Sequence, residues 1–210
     1  QSAETWWSRI LSSTAPHHFT WSRQRIGFMP RKLYSNTVGR PRTIEMPESN
    51  GIVVIKVGGG ILLDADATKS LSAGVAAWAV DHTVVIVHGG GPQGTDLAER
   101  MGHTPRIVHG RRVTSDLDLD LVLSTVCGLV NSTLVAALSA SGVRAVGITG
   151  ASVGMISAVK RPPWTLDGEV VDFGHVGDIE KIDTAPLEAL ISGSFVPVVA
   201  TVGSTIGGDL

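Results

Sequence analysis

A lysine stands one residue from the end of the apolar run in "VVIKVGGGILLD", and three glycines, Gly58 to Gly60, follow it directly. "TVVIVHGGGPQG", from Thr83 to Gly94, repeats the layout with His88 before Gly89, Gly90 and Gly91. Glycine lets backbone N–H groups approach a phosphate closely and tolerates positive φ. Lys56 adds a mobile point charge, which suits a polyphosphate whose charge shifts during transfer. The bland alternative is a snorkelling lysine beside a flexible turn. The second turn leads into a predicted helix with Pro92 in its first turn, and a helix amino terminus favours anions. Two such turns facing one crevice would hold two anionic groups, a nucleotide phosphate and an acidic co-substrate.

Arg112, in "GRRVTSD", is the third candidate. Its guanidinium can grip a carboxylate through two parallel hydrogen bonds, against the alternative of an arginine on a surface loop. Nothing matches the phosphate-binding pattern GxxxxGK[ST]. His82, His103, His109 and His175 lack zinc-ligand spacing. Asp116, Asp118 and Asp120 read as partners of a helix dipole before they read as cation ligands. His88 is expected to bond backbone, and Asp178 to shape a hairpin.

Apolar runs at Ile52–Val57, Thr83–His88, Arg144–Thr149 and Phe195–Thr201 read as strands. Helical spacing predicts helices from about Asp66 to Val80, Gln93 to Met101, Asp116 to Ser141 and Leu187 to Ile191. In the third of these, Val122, Val126, Val130, Leu134 and Leu138 form an i, i+4 stripe. Arg106–Thr114 reads as a hairpin, and Met155–Ile182 as short strands broken by "RPP", "DG" and "FGHVGD". Strand–helix alternation predicts a parallel sheet with right-handed crossovers, whose ligands bind at the carboxyl ends of the strands. Each glycine turn falls at such an end.

The chain has 210 residues, 43% of them hydrophobic, and a formal net charge of −2. That charge conceals two unlike segments. Residues 1–43 hold seven Lys/Arg, one acid and three of the five tryptophans, while the rest holds ten Lys/Arg and eighteen acids. A boundary is therefore placed between a basic, poorly ordered leader, 1–45, and a folded lobe, 46–210. The leader reads as a targeting peptide, as a nucleic-acid arm, or as sequence upstream of a start at Met46. Prolines 16, 30 and 41 and the missing amphipathic stripe argue against a helix there. No apolar run of membrane-spanning length is expected. Cys127 is the only cysteine, which excludes an internal disulfide and suits a reducing, cytoplasmic compartment; its apolar helical setting reads as a core thiol.

"VIKVGGGIL", "VIVHGGGPQ", "GRRVTSD", "LVNSTLVAAL", "AVGITG", "FGHVGDIEKID" and "GSFVPVVATVG" are collinear with the motifs of the amino acid kinase family. The chain resembles that family from about Gly51 to Leu210, and most of all its branch acting on N-acetyl-L-glutamate. The resemblance implies an α/β fold, a three-layer αβα sandwich around a mainly parallel sheet. It implies transfer of the γ-phosphoryl of ATP, with Mg2+ carried on the nucleotide, to the side-chain carboxylate of N-acetyl-L-glutamate in arginine biosynthesis. It makes Lys56 the catalytic lysine, with Gly58 and Gly59 on the phosphates. Gly90 and Gly91 would hold the acceptor, and Arg112 would clamp its α-carboxylate. The partners implied are these two substrates and a second copy of the chain, paired through the Asp116–Ser141 helix, with no nucleic acid or membrane.

The family's next motif, Asn-x-Asn-Ala-Asp, is not reached before Leu210, so the chain is expected to be the acceptor-binding half, with its C-terminal part missing and inactive alone. Alternative readings are a kinase of carrier-bound aminoadipate, glutamate or another acceptor, with a basic docking groove near Arg106, Arg111 and Arg112, and a non-catalytic acidic-ligand-binding protein.

Overall fold

The computed structural model describes residues 51–210, together with the backbone pairing of β1 (Arg31–Lys32) and β2 (Ile44–Glu45). The expectation of a poorly ordered leader otherwise lies outside the described residues. Four parallel strands form the central sheet: β3 (Ile52–Val57), β4 (Thr83–His88), β7 (Ala145–Thr149) and β12 (Val196–Ala200), in the order β3-β4-β12-β7. All five residues of β12 are buried, as a strand covered on both faces demands. Register pairs Val57 with His88, His88 with Ala200, and Ala200 with Thr149, so the four carboxyl ends form one even edge.

Helices cover the sheet. α1 (Ala65–Trp78) starts at Asp64, whose carboxylate accepts from the backbone N–H of Asp66 and Ala67. α2 (Gly91–Arg100) begins two residues before the expected start, with Pro92 in its first turn. α3 (Asp116–Ala140) is the longest, and Ile55, Val57, Ile86 and Val198 pack against its Leu134 and Leu138. On the opposite face Val54, Val85, Val87 and Val199 pack against Leu187 of α4 (Ala185–Ser192) and against Met155 and Ile156. The layers are the expected α, β and α, with antiparallel hairpins added.

Two expectations fail at α3. Leu123–Val130 is a π-helical segment, and the extra residue per turn shifts the buried face so that Leu121 and Thr125, not Val122, face inward. Second, α3 is itself long and apolar enough to cross a bilayer, with 25 residues and a window of mean hydropathy 1.9. It packs as a core helix, with Val126, Val130, Leu134 and Leu138 inside and buried Asp118 and Asn131 hydrogen-bonded within the fold. Cys127, on the same segment, is half-buried, and burial pushes its thiol pKa up.

The hairpins follow the turn signals. β5 (Ile107–Val108) pairs with β6 (Arg111–Arg112), and β8 (Ile156–Lys160) with β11 (Gly177–Ile182). β9 (Trp164–Leu166) pairs with β10 (Glu169–Val171) through Asp167 and Gly168, both at positive φ, as a two-residue turn of this twist requires. Asp178 accepts from Nε and Nη2 of Arg161 at 2.9 and 2.6 Å, tying β11 to the end of β8.

Candidate functional site

At the carboxyl edge the two glycine turns meet. A side-chain carbon on Gly59 would lie 2.7 Å from Oε1 of Gln93, 2.9 Å from Cδ of Pro92 and 3.2 Å from Cα of Gly90. Gly59 is therefore glycine because the neighbouring turn occupies the space. Gly90 meets α3 in the same way, its virtual side chain 3.1 Å from Val126 and 3.3 Å from Val130, both in the π segment. Beside Gly58, Gly60 and Gly91 nothing lies within 4 Å, which leaves their backbone open to approach. Gln93, 8% exposed, fastens the turns together: its Nε2 donates to the carbonyl of Gly59 at 2.7 Å.

Lys56 sits on β3 beside Val87, on the sheet face that carries Val54 and α4, one residue before the first turn. Among the described residues it makes no ion pair. His88 lies on the other face, 1% exposed. Its Nδ1 donates to the carbonyl of Gly89 at 3.1 Å, which leaves Nε2 to accept from Nδ2 of Asn131 at 2.9 Å. Asn131 also donates to the carbonyl of Val198 at 3.0 Å. Burial lowers the pKa of His88, only partly offset by its bond to Gly89, so the ring is held neutral as a structural brace. The expectation of a backbone-bonded histidine is met, and Asn131, which sequence reading left aside, proves to be its partner.

Arg112 extends over the start of α2. Its Nη2 donates to Oγ1 of Thr95 at 2.7 Å, and Thr95 in turn donates to the carbonyl of Gly91 at 3.1 Å. Its Nη1 is 3.8 Å from Oδ1 of Asp118 and is buried without a hydrogen-bond partner. Arg112 is thus no surface arginine: its side chain is 17% exposed. Asp118 forms a capping box with Ser115 and accepts from Nε2 of His103 at 3.1 Å. Burial pushes the Asp118 pKa up, but the bonds from Ser115 and His103 outweigh it and hold the carboxyl below its ordinary value. Neither Thr95 nor Asp118 was singled out for this role, because contacts 17 and 6 residues away from Arg112 have no local signature.

Thr114, next along the chain, is clasped by the "FGHVGD" loop. It donates from its N–H to the carbonyl of Phe173 at 2.9 Å and accepts from the N–H of His175 at 2.8 Å, and Gly174, at φ +69°, leaves no room for a side chain against it.

A cleft of about 620 Å³ opens at the opposite edge of the sheet, lined by His82, Arg144 and Phe195. It lies far from the glycine turns, and Arg144 there is committed to the Phe195 ring and the carbonyl of Gly193. In sheets of this kind ligands bind at the carboxyl edge, so the site is placed at the turns.

Two touching glycine turns, a lysine and a largely enclosed arginine thus gather at the carboxyl edge of a parallel sheet. Residues 51–209 match the Amino acid kinase family, and the chain belongs to it. Gly89, Gly91 and Gly94 also satisfy the G-x-G-x-x-G spacing of dinucleotide sites, a weak signal that the family match overrides. The chain is 43% identical over 151 residues to the acetylglutamate kinase of Methanopyrus kandleri, covering 72% of this chain and 57% of that protein. It is 44% identical over 165 residues to the acetylglutamate kinase of Sorangium cellulosum, covering 77% and 58%. The chain thus spans a little over half the length of the curated relatives it matches. Among solved structures it is similar to N-acetylglutamate synthase from Neisseria gonorrhoeae complexed with coenzyme A and N-acetyl-glutamate (TM-score 0.60, 27% identity, 76% of this chain and 35% of that one). It is also similar to smu.665 of Streptococcus mutans UA159 (TM-score 0.58, 26% identity, 76% and 61%).

Proposed function

We propose that the protein containing this chain transfers the γ-phosphoryl of ATP to the side-chain carboxylate of N-acetyl-L-glutamate. The observation that carries the proposal is the closeness of the two turns: no side chain fits between Gly59 and Gly90, so groups held on each lie side by side. The similar acetylglutamate kinases and the gonococcal synthase structure with N-acetyl-glutamate support this acceptor.

In this reading the backbone at Gly58 and Gly59 receives the phosphates, and Gly90 and Gly91 receive the acceptor. The acceptor's carboxylate oxygen attacks the γ-phosphorus, the bond to the β,γ-bridging oxygen breaks, and ADP leaves with its electron pair. Lys56 spreads the charge that develops on the transferring group, and Arg112 orients the acceptor through its α-carboxylate. Positioning and charge neutralisation supply the rate, since both reactants are anionic and no covalent enzyme intermediate is needed. In this reading Mg2+ is carried on the nucleotide.

A carrier-protein acceptor is disfavoured by the geometry. Arg106 faces Glu169 at 3.5 Å, Arg111 lies over the ring of Trp164 at 5.0 Å, and Arg112 turns inward, so the three make no continuous basic groove. We place the reaction in the cytoplasm and in arginine biosynthesis, carried out by a homodimer. The outward face of α3, with Leu117 and with Leu129 62% exposed, is the surface offered to the second copy. Light scattering of the wild type and of Leu129→Lys tests the dimer, which the variant is expected to dissociate.

The reaction is tested by ADP release with N-acetyl-L-glutamate and Mg-ATP, together with calorimetric binding of N-acetyl-L-glutamate. Both are run on this chain and on the product of its whole reading frame. Binding by both and turnover by the latter are expected. Absence of binding in both rejects the acceptor.

A further inference from the structure

We propose that Asp118, together with Thr95, is a positioning residue that sets the plane of Arg112 before the acceptor arrives; this rests on reading Arg112 as the clamp on the acceptor's carboxylate. The guanidinium has two anchors, one at each terminal nitrogen. Nη2 is fixed on the hydroxyl of Thr95 at 2.7 Å, and that hydroxyl spends its own proton on the carbonyl of Gly91 at 3.1 Å. Its lone pairs therefore face Arg112, and the arginine is joined to the acceptor turn through one oxygen atom. Nη1 lies 3.8 Å from Oδ1 of Asp118, close enough for attraction but too far to consume a proton in a hydrogen bond. Its protons stay available to an incoming carboxylate.

Asp118 cannot follow the arginine, because three bonds hold it. Oδ2 accepts from the N–H and the hydroxyl of Ser115 at 3.2 and 2.6 Å, and Oδ1 accepts from His103 at 3.1 Å. Capping a helix needs no burial, and a carboxylate taken out of water is unfavourable until it is compensated. At 2% exposure Asp118 goes beyond what a cap requires. A fixed anion at one end and a fixed hydroxyl at the other define a plane, and a planar fork gains from being pre-set because less freedom is lost on binding.

The test measures N-acetyl-L-glutamate binding by calorimetry on wild type, Asp118→Asn, Thr95→Val and Asp64→Ala, with ¹⁵N spectra of the arginine guanidiniums in the free chain. Asp118→Asn and Thr95→Val are each expected to weaken binding about tenfold. Both should also free rotation of the Arg112 guanidinium, merging its Nη resonances. Asp64→Ala removes the cap of another helix, α1, and no bond of Arg112 or Asp118, so it should lower thermal stability and leave affinity within about twofold. Wild-type affinity and unchanged Arg112 resonances in Asp118→Asn and Thr95→Val overturn the proposal. If Asp118→Asn fails to fold, Thr95→Val decides alone. If the wild type binds no N-acetyl-L-glutamate, the acceptor reading fails, and the guanidinium spectra still decide whether Asp118 and Thr95 hold Arg112.

Discussion

Gln93 reaches back across 34 residues of sequence to place its Nε2 2.7 Å from the carbonyl oxygen of Gly59. That bond couples the turn after β3 to the helix after β4, the two elements proposed to hold the phosphates and the acceptor. Replacing Gln93 with Leu keeps the volume and removes a buried donor from the carbonyl of Gly59. A loss of about 1–3 kcal/mol in denaturant unfolding is expected, with faster amide exchange at Gly58 to Gly60. Unchanged exchange there means that packing alone holds the turns together.

Lys56 and Arg112 should separate kinetically in the protein that turns over. Lys56→Ala is expected to lower kcat by about a hundredfold or more while acceptor binding stays near wild type. Arg112→Lys replaces a fork with a point charge and should raise the acceptor's Kd about tenfold. A loss confined to acceptor affinity in the lysine variant contradicts its assignment, and unchanged affinity in Arg112→Lys takes that residue out of the site.

Acid should loosen the fold through His88. The native ring is neutral with its pKa lowered by burial, whereas in the unfolded chain it titrates near 6.5. The unfolded state therefore binds more protons as pH falls below that value. Stability is full above about pH 6.5 and declines as pH drops towards the lowered native value. Thermal unfolding between pH 7.5 and 5 should show this slope, and His88→Gln should flatten it. An equal slope in the variant assigns the effect to other groups.

Gly147 on β7 is glycine because Oδ1 of Asn131 occupies the place of a side chain. Gly147→Ala displaces an amide that braces both His88 and the carbonyl of Val198. A destabilisation of about 2–4 kcal/mol is expected from steric displacement and the lost bonds. Circular dichroism melts measure it. A shift below about 1 kcal/mol would mean that α3 moves aside without losing its contacts.

Strands, helices and hairpins were legible where the signal is local. Apolar runs marked all four sheet strands, and the Asp167–Gly168 pair marked its hairpin because that turn needs positive φ twice. The π segment was not legible. Its residues keep an ordinary helical pattern, and only the packed structure shows that Leu121 and Thr125 are buried where Val122 is not. The length of α3 was underestimated as a span for a related reason: its aspartates and serines interrupt the apolar run, yet its average stays high.

By itself the sequence determined the parallel sheet, the two glycine turns, the placing of Lys56 before one of them, and Arg112 as a carboxylate-binding candidate. These depend on residue type and on neighbours within a few positions, which chain order preserves. Tertiary structure alone decided that the second turn leaves no room for a side chain on Gly59, that Val126 and Val130 leave none on Gly90, that Gln93 ties the two turns, that Asn131 fixes His88, and that Arg112 donates to Thr95 beside Asp118. Each of these joins residues from different elements, and a chain's order does not encode which of its distant polar groups will be buried face to face. The fold brings them together because adjacent parallel strands end in register, so every turn at that edge must share one small volume.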